Sequence, residues 1–376
     1  MRRLVAITAS LLMLTGMTGA SAGPTAGGVA TDNVEYVGFV PFDQSTSTGL
    51  TIVGKYAYLT SWKNLSIYDI SDPTAPSLTG YTPLGFKFEN ENVATDGKIL
   101  LFSESLPQNI LHVYDVEDKS NPTLIAQVDG AGDHTTSCIL KCKWAYGSDG
   151  SITDLRNPAK AKLQKVDWHK AVGLQGGGHD VEEYRNGFLV VSTISAPLMI
   201  LDVRDPLKPR ILATGKNPNP SGFLFHSGRW PRGGKDSILL MQGEKNFNPR
   251  CNENNGPFMT FGTKGWRSSH SVKLLDTYRV QNGTYADGSP AVNALGCSAH
   301  WFEEHESFRN GGLVAVGYYE HGTRFLDVAP NGKIKEVGYF MPYGGSTSAA
   351  YWVNKDLVYA VDYTRGIDIL RWKGKV

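Results

Sequence analysis

The chain lacks most of the features that would declare a function. It has no Gly-Lys-Ser/Thr phosphate loop and no Gly-x-Ser-x-Gly elbow, which removes the two commonest signatures of nucleotide and serine-hydrolase chemistry. No carboxylate pair stands out as the acid and base of a glycosidase. Charge is sparse and balanced, 37 Lys+Arg against 36 Asp+Glu, so nothing electrostatic points to nucleic acid or an anionic membrane. Beyond the N-terminus no apolar run approaches the roughly 18 residues of a spanning helix. Cysteine is scarce: Cys138, Cys142, Cys251 and Cys297. An even number in an exported chain suggests two disulfides. The preferred pairing is Cys138–Cys142 across a tight hairpin and Cys251–Cys297 tying a long loop to the next repeat. A Cys metal site is the alternative, disfavoured by a C-x3-C spacing with no second close pair.

The N-terminus reads as a secretory signal over 1–22. Arg2 and Arg3 precede a mostly apolar stretch, and Ala20-Ser21-Ala22 before Gly23 is a small-residue cleavage site. No cysteine follows to carry a lipid. Residues 23–33 are small and polar and read as a flexible lead-in. The mature protein is therefore expected outside the cytoplasm, secreted or in the cell envelope.

What the chain does have is a phrase repeated with variation. It reads LSIYDISDPTAP at 65–76, LHVYDVEDKSNP at 111–122, SITDLRNPAKA at 151–161 and LMILDVRDPLKP at 198–209. Fainter copies are VKLLDTYRV at 272–280, TRFLDVAPNGK at 323–333 and IDILRWKG at 367–374. Each sits in a unit like 179–214, where DVEEY, FLVVST, LMILDV and RILAT are separated by Arg185-Asn186-Gly187, a Pro197 loop and Asp205-Pro206. These are strand and turn signals. Four antiparallel strands in ~40 residues predict one β-propeller blade.

Seven copies, marked by Asp69, Asp115, Asp154, Asp202, Asp276, Asp327 and, in the last, Arg371, predict an all-β, seven-bladed propeller over 34–376 as a single domain. The fifth carries an insertion, 243–266. The last copy stops after its third strand, and YVGFVPF at 36–42 offers a spare strand to close the ring. A closed ring needs no partner for stability, so a monomer is expected. The repeated Asp reads as a turn cap.

This phrase resembles the LVIVD-repeat family of exported β-propellers, most closely at 65–76, 111–122 and 198–209. The segments 296–328 and 344–370 are also similar to secreted actinobacterial members of that group. The resemblance implies the propeller fold and an exported location. It implies no activity and so no catalytic residue.

Function in a propeller sits where the copies differ. Aligned on the turn before the second strand, the first strands begin at Glu89, His134, His179, His226 and His300, with Thr347 and Thr46 in the other two units. Four of the nine histidines thus share one register beside the central channel. The loops YYEHGTR at 318–324 and DYTRG at 362–366 bring Glu320, His321, Arg324, Tyr363 and Arg365 towards the same rim. Neutral imidazoles favour Zn, Cu or Fe. One expectation is therefore a transition-metal centre on His134, His179, His226 and His300. Glu89 would be a fifth ligand or base, and Glu320, His321 and Arg324 would serve a polar small-molecule substrate in oxidative or lyase-like chemistry. Two alternatives stand beside it: a mouth that binds a small molecule or an extracellular protein without chemistry, and a wet channel whose imidazoles bond only to their neighbours. His305 reads as part of a turn, and His112 and His169 as surface residues. Of Asp180, Glu182 and Glu183, strand alternation lets at most one or two face the channel.

Overall fold

The computed structural model describes residues 27–41, 47–85, 91–105, 107–245, 247, 251–280 and 295–376. They form four-stranded antiparallel sheets following one another along the chain. The unit read from sequence over 179–214 is built of Gly178–Arg185, Phe188–Thr193, Leu198–Asp202 and Arg210–Gly215, each paired with the next. Its last strand touches Ser271–Tyr278 of the following sheet through a short parallel contact. The strand Val34–Pro41 pairs antiparallel with Gly366–Trp372, so the two ends of the chain share one sheet. Gly28–Ala30, inside the stretch read as a lead-in, pairs with the outer strand Ile334–Pro342. Residues 1–22, read from sequence as a secretory signal, lie outside the described residues. No helix among the described residues is long and apolar enough to cross a membrane.

The turns show why the phrase repeats. Asp69, Asp115, Asp154 and Asp202 each accept a hydrogen bond from the backbone N–H two residues on, at 2.8–3.1 Å. Asp72, Asp118 and Asp205 do the same in the turn that follows. A short carboxylate satisfying its own backbone is the chemistry of an Asx turn, and it ends the third strand at the same point in these four copies. The fifth unit departs from the sequence reading: its third strand is Phe258–Gly262, inside the stretch read as an insertion, and Asp276 lies in the fourth strand, Ser271–Tyr278.

The apolar residues of neighbouring sheets face each other and form the core between them. Tyr146 and Ile152 of one sheet pack with Leu189, Val191 and Leu201 of the next. Leu240 and Phe258 pack with Phe302, Val314 and Leu326 in the same way. Both disulfides pair as preferred from sequence, Cys138 with Cys142 and Cys251 with Cys297. Disulfides persist in oxidising compartments, so they fit an exported protein. His112 departs from expectation. It is buried, with Nε2 at 2.8 Å from Glu104 and Nδ1 at 3.1 Å from Gln127.

Candidate metal centre

The innermost strands carry a recurring irregularity. The ladder shifts register between Gly178 and Asp180, between Phe225 and Ser227, between Thr347 and Ala349, and between Ser47 and Gly49. At His300 the backbone does the same without a named strand: Gly317 O accepts from His300 N and Gly317 N donates to Trp301 O, both at 2.9 Å. An extra residue in one strand is a β-bulge, and a bulge re-aims the side chain it carries. His179, His226 and His300 sit at these positions. Strict alternation would turn one of two neighbours outward, yet His179 and Asp180 are both buried towards the channel.

The imidazoles gather in order. Ring centroids are 5.1 Å apart for His134 and His179, 4.1 Å for His179 and His226, and 4.2 Å for His226 and His300. At their centre stands Glu91, buried, in the short segment before Ala94–Thr95. His226 Nε2 lies 3.0 Å from Glu91 Oε2, His300 Nε2 3.0 Å from Oε1, and His134 Nε2 3.3 Å from Oε2. Tyr363 donates to Oε1 at 3.4 Å. Glu244 Oε2 is 3.8 Å from His226 Nε2, and its other oxygen accepts from the Tyr319 hydroxyl. Tyr319 holds a positive φ of 41°, unusual for a large side chain, with its ring 4.8 Å from that of His300.

Glu91 owes its place to its neighbours. Thr51 Oγ1 donates to Val93 O at 2.6 Å, and Asn92 Nδ2 donates to Ser137 Oγ and Asp180 Oδ1 at 2.9 and 3.2 Å. Gly49 allows the approach, because a Cβ there would stand 2.0 Å from Glu91 O.

The protonation of the cluster follows from its contacts. Burial would raise the Glu91 carboxyl, but His300, His134 and His226 together hold it well below the ordinary range. Burial lowers His179, reinforced by His226 and His134. Burial and His300 lower His226 against the pull of Glu91. Burial, then Glu244, pushes the Tyr319 phenol up, so it remains a donor. The outer ring nitrogens settle two tautomers. His179 Nδ1 lies 3.0 Å from His226 O, and His300 Nδ1 lies 2.9 Å from Ser348 O. A carbonyl only accepts, so both Nδ1 atoms carry hydrogen. For His179 the neutral ring then keeps its Nε2 lone pair on the side of the cluster, whereas His300 Nε2, 3.0 Å from a carboxylate oxygen that only accepts, donates to Glu91. An Nδ1–H held by a backbone carbonyl is the usual outer support of a metal-binding histidine. His226 Nδ1 faces the amide nitrogen of Gln242 at 3.4 Å, while Gln242 Oε1 is buried without a partner.

Glu91, His134 and His179 bring one ligand atom each within 4.8 Å of one another; so do Glu91, His226 and His300, and so do His179, His226 and Glu244. These groups could hold a metal ion. All donors are nitrogen or carboxylate oxygen, a set suited to Zn, Cu or Fe.

The four histidines expected from sequence are thus brought together. Glu89 lies outside the described residues, and Glu91, two positions on, is the carboxylate they surround. Sequence reasoning missed Glu91 and Glu244. Four acidic or amide residues precede Val93 in FENENV, and alternation between charged and amide side chains does not say which of them faces inward. The rim residues stand apart. Glu320 accepts from the backbone N–H groups of Leu295 and Gly296. His321 lies against the Cys251–Cys297 bridge, its Nε2 3.7 Å from Cys251 Sγ. Arg324 is fully buried, with Nε on His321 O at 2.9 Å and Nη1 3.6 Å from Glu336. Arg365 bonds to Asp368 at 2.5 Å. Of the rim set, Tyr363 reaches the cluster. His305 is a turn residue, bonded to Ser307 Oγ and Lys355 O.

The LVIVD repeat family matches residues 46–82. No curated protein matches the chain. Among solved structures, the crystal structure of the computationally designed Ika8 protein superposes with a TM-score of 0.52 over 89% of this chain and 98% of that one, at 10% identity. At that identity the likeness bears on the fold alone.

Proposed function

We propose that the chain, which matches the LVIVD repeat family over residues 46–82, is an exported, seven-bladed propeller, closed by Val34–Pro41, whose channel mouth is a transition-metal centre. His134, His179, His226 and His300 are its ligands, and Glu91 is a fifth ligand or a base. The observation that carries this reading is the outer support of two rings: backbone carbonyls hold Nδ1–H of His179 and His300, which directs both Nε2 atoms into the cluster around one buried carboxylate, where a metal would displace the hydrogen that His300 shares with Glu91. Bound there, a metal would supply a Lewis acid or an activated water. The chain's own part is to orient the imidazoles, to keep Glu91 ionised and to limit water around them. A polar small molecule at the loop-bearing mouth would meet Tyr363, Tyr319 and Glu244, and the chemistry that fits is oxidative or lyase-like.

Elemental analysis of the untagged mature protein tests this, beside His134→Ala/His179→Ala. Near-stoichiometric copper, iron or zinc, lost in the variant while the fold persists, is the expected result. Metal absent from both proteins, even after reloading, would overturn it. One observation favours a second reading, a non-catalytic binding propeller: Glu91 already has three imidazole nitrogens at 3.0–3.3 Å and needs no ion to be satisfied. That reading expects the histidines to tolerate substitution while partner binding follows the loop-bearing rim.

A further inference from the structure

Beneath the centre the channel continues. Past the bulges, Thr51, Asp180, Glu182, Ser227, Arg229 and Tyr351 line a partly enclosed cavity of about 80 Å³ that reaches Glu91 and Asn92. Trp301 lines it too, and its Nε1–H is buried with no partner. A polar, partly enclosed space of this size has room for a short file of about two or three waters. Below it opens a second hollow of about 310 Å³, formed where the inner strands end, with Glu303, Glu304, Trp352 and Asn354 in its wall. Arg229 is the one residue lining both. Its Nε lies 2.9 Å from Glu304 Oε2 and its Nη2 3.7 Å from Glu303 Oε1. The two hollows meet at a guanidinium held by two carboxylates.

We propose that this well is a solvent conduit, by which water and protons exchange with the imidazole–Glu91 centre from the face opposite the loop-bearing mouth, and that Arg229, clamped by Glu303 and Glu304, is its gate. A molecule seated over the imidazoles would close the mouth, and the well would keep the centre supplied from behind. The lining suits the task, with hydroxyl, carboxyl and indole N–H groups to carry a water file. Burial raises Glu182, and it pushes Glu303 to about 7, so Glu303 can take and release a proton near neutrality. The metal readout below rests on the reading of the site given above; the gate does not.

Every cysteine of the chain is in a disulfide, so a thiol introduced by Glu182→Cys reports access to the well. Its reaction with methyl methanethiosulfonate is expected to proceed and to quicken about tenfold when Arg229→Ala removes the guanidinium and its two ion pairs. Water-proton relaxation by protein loaded with Cu(II) is expected to fall once that thiol is capped. A thiol that never reacts means a sealed well, and a rate indifferent to Arg229→Ala means no gate. Capping that leaves the relaxation unchanged means the well does not reach the centre. Each of these overturns the proposal. Failure to bind Cu(II) at all overturns the metal reading instead, and the gate is then judged by labelling alone. Should Glu182→Cys not fold, Tyr351→Cys places the thiol in the same wall.

Discussion

The outer turns and the inner strands of this protein are built on opposite rules. At the end of the third strands one solution is copied, an aspartate bonded to the N–H two residues on, as at Asp69, Asp115, Asp154 and Asp202. At the channel the backbone is copied and the side chains are not. The same bulge recurs, but it carries His179, His226 or His300 in some units and Ser348 in another. Repetition in the turns maintains the scaffold. Variation on a repeated bulge places different chemistry at one height in the channel.

The contrast can be broken from the inside first. Glu91→Ala should have the largest effect, because it strands three imidazoles around a buried void. About 3–5 kcal/mol of stability and all metal binding should go, read by denaturant unfolding and elemental analysis. Gly49→Ala is next. Its Cβ would press on Glu91 O, so about 1–3 kcal/mol and a weakened centre are expected, although the residue bears no functional group. A similar loss of stability with metal retained would show that the approach matters for packing only.

Acid should act through the same cluster. His179 and His226 titrate lower in the folded protein than the usual 6.5. Below that value the unfolded chain binds the extra protons, so stability falls with pH by up to ~1.4 kcal/mol per unit for each histidine. Glu91 is held low, and its contribution is lost as pH falls below its ordinary value. All three act in one direction. Metal-free protein should thus lose stability steadily from pH 7 to 5, and His179→Asn should flatten the upper part of that slope. A flat profile for the unaltered protein would contradict the burial of neutral imidazoles.

The smallest effect belongs to the outside. Asp202→Asn should cost about 1 kcal/mol, limited because Arg204 and Arg210, which bond the carboxylate, stand in solvent. Metal content should not change. A large loss here would mean that turns and channel are coupled.

Much of the architecture was legible because turn chemistry is local. Asp-Pro, Asn-Gly and runs of β-branched residues act over three or four positions, and the four strands of 178–215 fall where those signals put them. The histidine register was legible for a different reason: four of nine histidines recur at one distance before a turn. The rim was not. Arg324 and Glu320 reach the expected loops in sequence, but Arg324 turns into the sheet to Glu336 and Glu320 holds the backbone at Leu295 and Gly296. A charged residue near a channel finds the nearest unsatisfied partner, and sequence spacing does not say where that partner is.

By itself, the sequence determined most of the repeating strands, their turns and the set of imidazoles available to the channel; the cysteine pairing it only favoured, and the structure fixed it. Each depends on neighbours along the chain or on a small count of residue types. Only the tertiary structure decided which carboxylate the imidazoles enclose and how two consecutive residues, His179 and Asp180, both come to lie inside. The first depends on Gly49, Thr51, Ser137 and Asp180, brought to Glu91 from three other strands. The second depends on a bulge, an extra residue in a ladder that exists only once the partner strand has paired.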